Sequence, residues 1–148
     1  MWVVKLHNKF ITEANDVDFV VDETKLKTPE SDALYAWLED VLSGADHQGK
    51  NKESWVDKHG TEKKEAKSYK NACAWHYHCG PTKSVTGTIS TTAALERNFQ
   101  GQQTSEAAHY IKIESSKTIV VFGFSRIHVP FLNDASNQSA KQLSLIHI

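Results

Sequence analysis

A chain of 148 residues, 39% hydrophobic and 24% charged, is long enough to bury one core and has the composition of an ordinary water-exposed domain. No apolar run approaches the roughly 20 residues of a membrane-spanning helix, Met1 to Asn8 lacks the pattern of a signal peptide, and two cysteines make no disulfide scaffold. A reduced, cytoplasmic protein with no membrane partner is expected. The net charge of −1 excludes a uniformly basic nucleic-acid binder, but it is unevenly spread. Residues 13–46 hold ten acids against Lys25 and Lys27, and the remainder carries +7, which is compatible with a basic working face beside an acidic segment.

In chain order, Trp2 to Ile11 reads as a first strand. Residues 12–28 are acidic and weakly periodic, and take no assignment. Thr28-Pro29-Glu30 starts a helix, with Thr28 as N-cap and Pro29 at the first helical position. Leu34, Trp37, Leu38, Val41 and Leu42 recur at helical spacing and Gly44 closes the helix. Residues 45–70, with seven lysines, are a helix or a mobile loop, which composition alone does not decide.

Asn71 to Pro81, reading Asn-Ala-Cys-Ala-Trp-His-Tyr-His-Cys-Gly-Pro, has the aromatic content and Gly-Pro stop of a strand. Alternation puts Cys73, Trp75, Tyr77 and Cys79 on one, core-like face. Ala74, His76 and His78 fall on the other, pointing to a groove or solvent. Residues 82–104 are rich in Thr, Ser, Gly and Gln and read as a long loop with a short helix around Ala93 to Phe99. Ala108–Glu114 and Thr118–Ser125 form a hairpin across Ser115-Ser116-Lys117. Arg126-Ile127-His128 follows, with Arg126 and His128 on one face if the strand continues. The last six residues, Leu-Ser-Leu-Ile-His-Ile at 143–148, have the form of a translated sequencing adapter. A single catalytic domain is expected over 1–142, and His147 is set aside.

Of the eight histidines, His76 and His78 are separated by one residue, so on a strand their imidazoles stand roughly 7 Å apart on one face. Three readings compete: a hydrogen-bonded pair without function, a metal site with His128 or His109 as third ligand, and metal-free acid/base chemistry near neutral pH. The next carboxylate in sequence is as far away as Glu96, which counts against the metal reading. Arg126 with His128 suits a phosphate, the guanidinium holding two oxygens and the imidazole moving a proton. Lys83 and Lys112 add positive charge, and Tyr110, alternating outward beside Lys112, is placed to stack on a base. His109 shares the face of Ile111 and Ile113 and reads as a satisfied, partly buried histidine. Cys73 and Cys79, on the core face, are not catalytic thiolates. Phosphate loop, dinucleotide fingerprint and nucleophile elbow are all missing from the sequence.

The order Trp75-His76-Tyr77-His78, a polar stretch, Thr104-Ser105-Glu106-Ala107-Ala108-His109-Tyr110-Ile111, the apolar Ile119-Val120-Val121-Phe122 and a final histidine resembles the YafO-type toxins among the RelE-like bacterial mRNA interferases. The resemblance covers roughly residues 70–131, with Thr104, Glu106, Ala108 and His109 approximating the family's Thr-x-acid-x-Ala-His element. Gln103 stands where the family often has a basic residue, and the mildly acidic total departs from the strongly basic superfamily. The resemblance implies an α+β fold: a small, twisted, mainly antiparallel sheet with one or two helices packed on it. It also implies an endoribonuclease that cleaves mRNA at the ribosome and is neutralised by a cognate antitoxin. In such a reaction a base takes the ribose 2'-hydroxyl proton, a cation stabilises the phosphorane and an acid protonates the leaving 5'-oxygen, with no cofactor required. His76 or His78 is the expected base, His128 the acid and Arg126 the phosphate clamp, with Lys83, Tyr110 and Lys112 contacting RNA. Two other classes remain open: a small His-liganded metal enzyme or cupin-like protein, and a non-enzymatic phage or plasmid binding module.

Overall fold

A computed structural model describes residues 1–12, 21–84 and 89–127. Its elements are β1 (Val3–Leu6), α1 (Asn8–Ile11), α2 (Thr28–Ser43), β2 (Asn51–Glu53), α3 (Lys67–Ala72), β3 (Ala74–Tyr77), β4 (Ala107–Ile113) and β5 (Thr118–Ser125). The strands form one sheet in the order β1-β5-β4-β3-β2. Only the outermost β1–β5 pair is parallel; the other three are antiparallel. This is the α+β class expected from the sequence, with three helices on a mixed sheet.

The first strand, Val3–Leu6, is shorter than the Trp2 to Ile11 expected from the sequence. The His7 imidazole accepts a hydrogen bond from Lys9 N–H (3.1 Å) and starts a short helix that buries Phe10. At α2 the N-cap is Lys27 rather than Thr28. The Glu30 carboxylate reaches back to Lys27 N–H at 2.8 Å, half of a capping box. Gly44, at φ +74°, closes the helix as expected, a conformation glycine adopts at little cost.

Helix α2 buries Leu34, Trp37, Leu38 and Val41 against Tyr77, Tyr110, Ile119, Val121 and Phe124 of the sheet. Trp37 stacks on Tyr77 with ring centroids 4.4 Å apart and planes 5° from parallel. The opposite face is also covered: Ala66 and Tyr69 pack with Ala74, Ile111, Val120 and Phe122. A bulge after His109 inserts Phe122 as the extra residue of β5, which bends the sheet locally.

The described part of 82–104 is a loop, as expected, but the short helix expected around Ala93 to Phe99 is not formed. This loop runs beside residues 47–51, with isolated bridges pairing His47 to Thr92, Gly49 to Gln102 and Asn51 to Asn98. Ala94 and Leu95 take positive φ (61° and 59°), incompatible with a right-handed turn. Asn51 stitches this segment down, donating from Nδ2 to Leu95 O (3.2 Å) and Glu96 O (3.0 Å). Gly49 lies so close to the Tyr77 ring and the His78 carbonyl that a Cβ has no room.

Candidate functional site

Alternation along β3 sends Trp75, Tyr77 and Cys79 towards α2 and His76 and His78 to the other face, as the sequence predicts. Cys73 departs from that pattern: it is exposed and caps α3 at φ 57°. Burial pushes the Cys79 thiol up to about 12, so Cys79 does not have the environment of a catalytic thiolate.

The histidines do not face solvent. His76 and His78 are 4% and 2% exposed, because residues remote in sequence roof this face. They are joined by His109, the cross-strand neighbour of His76. Ring centroids stand 5.2 Å apart for His76–His78 and 6.0 Å for His76–His109. Each ring is oriented by an oxygen: Ser54 Oγ at 3.0 Å from His76 Nδ1, Ser125 Oγ at 2.9 Å from His109 Nε2, and the Thr104 carbonyl at 2.9 Å from His78 Nδ1. A carbonyl oxygen only accepts, so His78 carries its proton on Nδ1. In the neutral ring the basic lone pair is then on Nε2, the arrangement of a positioned general base or a metal ligand.

Sequence reasoning missed Lys52. It is paired with His76 across β2–β3 and is therefore on the histidine face. It is buried, donates from Nζ to Val56 O at 3.0 Å, and burial beside Lys50 and Lys63 lowers it to about 8. The signal was thin, one lysine among seven in a polar stretch. Ser54 and Ser125 carried no signal, and Thr104, marked in the sequence for the Thr-x-acid element, carried none for the backbone carbonyl that orients His78.

On the far side of Thr104 lies an open cleft of about 560 Å³ lined by Thr82, Lys83, Gln103, Thr104, Ser105 and Arg126, among others, with no histidine in its lining among the described residues. Thus Thr104, whose carbonyl orients His78, also forms the cleft wall. Lys83 and Arg126, both predicted from sequence, meet there. Arg126 has a partner the sequence does not reveal. Its guanidinium donates to both Glu30 oxygens (Nε at 2.8 Å, Nη2 at 3.1 Å) and to Lys25 O (3.2 Å). This holds Glu30 below the usual carboxylate range and occupies the fork that a phosphate clamp would use. His128 lies outside the described residues.

Two expected RNA contacts are corrected. Tyr110 does not project outward: it is fully buried against Trp37 and donates to Asn51 Oδ1 at 2.6 Å. Lys112 is buried too; its Nζ donates to Leu95 O at 2.6 Å, pairs with Glu114 at 3.1 Å and lies 4.2 Å from the Trp75 ring centroid. Because α2 covers this face, alternation away from His109 leads into the core rather than to solvent. The Thr-x-acid element has a structural task. Thr104 Oγ1 donates to Glu106 O (2.6 Å), and the Glu106 carboxylate accepts from Thr82 N–H (3.2 Å) and Oγ1 (2.9 Å). Together they clamp the Gly80–Thr82 turn that leads to Lys83.

Among the described residues, no group of three or more His, Cys, Asp or Glu is arranged to hold a metal ion, and no helix is long and apolar enough to cross a membrane. Comparison of the chain with protein-family models, with curated proteins and with solved structures finds no match in any of the three.

Proposed function

We propose that this protein is an endoribonuclease that cleaves mRNA by acid/base attack of the ribose 2'-hydroxyl, centred on His76 and His78. The observation that carries the reading is the imidazole pair at 5.2 Å, with the His78 tautomer set by the carbonyl of Thr104, a residue that also lines the cleft bearing Lys83. Two imidazoles this close resist holding two positive charges at once, and this reading gives the neutral, base role to His78 and the protonated, acid role to His76. His78 Nε2 takes the 2'-hydroxyl proton. The resulting alkoxide attacks the adjacent phosphorus, and the bond to the 5'-oxygen breaks as protonated His76 gives that oxygen its proton. The products are a 2',3'-cyclic phosphate and a 5'-hydroxyl.

Lys83, which has no ion pair among the described residues, is the cation this reading assigns to the phosphorane. Arg126, neutralised by Glu30, shapes the cleft wall. The resemblance of the motif order to the YafO-type toxins, with which the α+β sheet is consistent, supports action at the ribosome as the toxin of a toxin–antitoxin pair. Co-expression with a small neighbouring reading frame tests the partner: rescue of growth arrest is expected, and failure of every adjacent frame contradicts it. Purified protein with labelled mRNA in excess EDTA tests the chemistry. Cyclic-phosphate ends from the wild type, lost in His76→Ala/His78→Ala, are expected.

A second reading is a non-enzymatic binding module, favoured by the 4% and 2% exposure of the two histidines. It predicts that His78→Gln lowers stability while leaving every partner interaction unchanged.

A further inference from the structure

Beyond the histidine face, a cleft of about 380 Å³ opens between the turn after β2 and α3, lined by Trp55, Glu62, Lys63, Lys64, Lys67 and Lys70, with Ala66 and Asn71. We propose that it is a nucleotide subsite, in which Trp55 stacks on a base and Lys63, Lys64 and Lys67 hold the flanking phosphates of single-stranded RNA. This deepens the endoribonuclease reading and rests on it for the choice of RNA as ligand.

Three observations converge. Trp55 is partly exposed, yet its ring is fixed by packing on the second core cluster and by an edge contact to Trp75 (6.3 Å, 88°). A large aromatic surface left in a cleft is suited to a planar partner. Glu62 is already satisfied by Lys70 at 2.6 Å, whereas Lys63, Lys64 and Lys67 have no ion pair among the described residues. Glu65 and Asp57 are the other acids nearby, and with Glu62 they set three acids against the four lysines, which leaves the cluster with a balance of +1. The walls are tied together: Lys63 N–H donates to Trp55 O (2.9 Å), Asp57 N–H to Thr61 O (2.9 Å), and Val56 bridges to Glu62. A preorganised site loses less on binding than one that must be ordered.

The position also fits. Ser54, which orients His76, immediately precedes Trp55, so the same short segment holds both the indole and the partner of an imidazole. Stacking on an aromatic tolerates any base. Recognition here therefore supplies register and affinity rather than sequence choice.

The test is fluorescence anisotropy with a labelled 2'-O-methyl octaribonucleotide, which lacks the attacking hydroxyl and so reports binding whether or not the protein cleaves. Trp55→Ala is expected to weaken binding about 5- to 150-fold, with Trp55→Phe retaining most of the affinity. The triple variant Lys63→Gln/Lys64→Gln/Lys67→Gln should flatten the salt dependence by about 2 in log–log slope. Melting curves confirm that each variant is folded, and the lysine variant keeps the test open if Trp55→Ala is not. Unchanged octamer binding in folded Trp55→Phe and Trp55→Ala overturns the subsite. So does displacement of the octamer by polyglutamate as readily as by unlabelled octamer, which marks mere charge. AMP binding with the same Trp55 dependence, without octamer binding, identifies a free-nucleotide site and overturns the RNA assignment. Octamer binding that depends on Trp55, alongside an inactive protein in the cleavage assay, retains the subsite and rejects the endoribonuclease.

Discussion

Arg126 is expected to act on stability before it acts on any substrate. Its guanidinium makes two charged hydrogen bonds to Glu30, at 2.8 and 3.1 Å, tying the end of β5 to the first turn of α2. Each such bond contributes about 1.5–3 kcal/mol at full burial. The Arg126 side chain, however, is 40% exposed against 5% for Glu30, so solvent screening and lost rotamer freedom remove much of the gain. A coupling of about 1–2 kcal/mol remains, or a drop in Tm of about 2–8 °C for a domain of this size. Urea melts of Arg126→Ala, Glu30→Ala and the double variant measure it as a cycle. Glu30→Ala should cost more than Arg126→Ala, since it also removes the acceptor of Lys27 N–H. The sign with pH follows from the carboxylate: Glu30 is held below its ordinary 4.5. Its stabilisation is therefore complete above that value and is lost as pH falls beneath it, through the lowered folded-state pKa. Additive single variants at neutral pH, or a coupling that survives strong acid, would refute the reasoning.

Other consequences are equally accessible. Tyr110→Phe leaves Asn51 Oδ1 buried without its 2.6 Å donor and should cost about 1–3 kcal/mol in a denaturant melt, with no selective effect on RNA affinity. Gly49→Ala drives a methyl into the Tyr77 ring and the His78 carbonyl; a loss of about 1–3 kcal/mol or more is expected from overpacking. Lys52, lowered from 10.5 to about 8 in the folded chain, binds fewer protons folded than unfolded between those values. Stability should therefore rise with pH across that window, and the rise should be smaller in Lys52→Met when melts at pH 8 and pH 10.5 are compared.

What the sequence made legible was local. The apolar spacing from Leu34 to Val41 and the Gly44 stop belong to α2, and the short Ser115–Lys117 connection belongs to the β4–β5 hairpin; each is decided within a few residues. The parity of β3 was also readable, and with it the separation of Trp75 and Tyr77 from His76 and His78. Which face meets water was not, because both sides of this sheet are covered: α2 packs on one side, while Ala66 and Tyr69 pack on the other. A sheet buried on both faces gives alternation no outside to point to, hence the misplaced Tyr110 and Lys112. The parallel pairing of β1 with β5, the Arg126–Glu30 bridge across 96 positions and the Thr104–His78 contact are set by topology. A single sequence carries no local trace of them. The polar Asn51–Glu53 strand was hidden for the same reason: its register with β3, not its residues, makes it a strand.

The endoribonuclease assignment is tested most directly by the ends of the RNA it produces. Wild-type protein, translating ribosomes and end-labelled mRNA are incubated in excess EDTA, beside His78→Ala and His76→Ala. The account predicts fragments ending in 2',3'-cyclic phosphate, and a loss of about 100- to 10,000-fold in rate for each variant. Cleavage at wild-type rate by both variants, or no cleavage by folded wild-type protein, would contradict it.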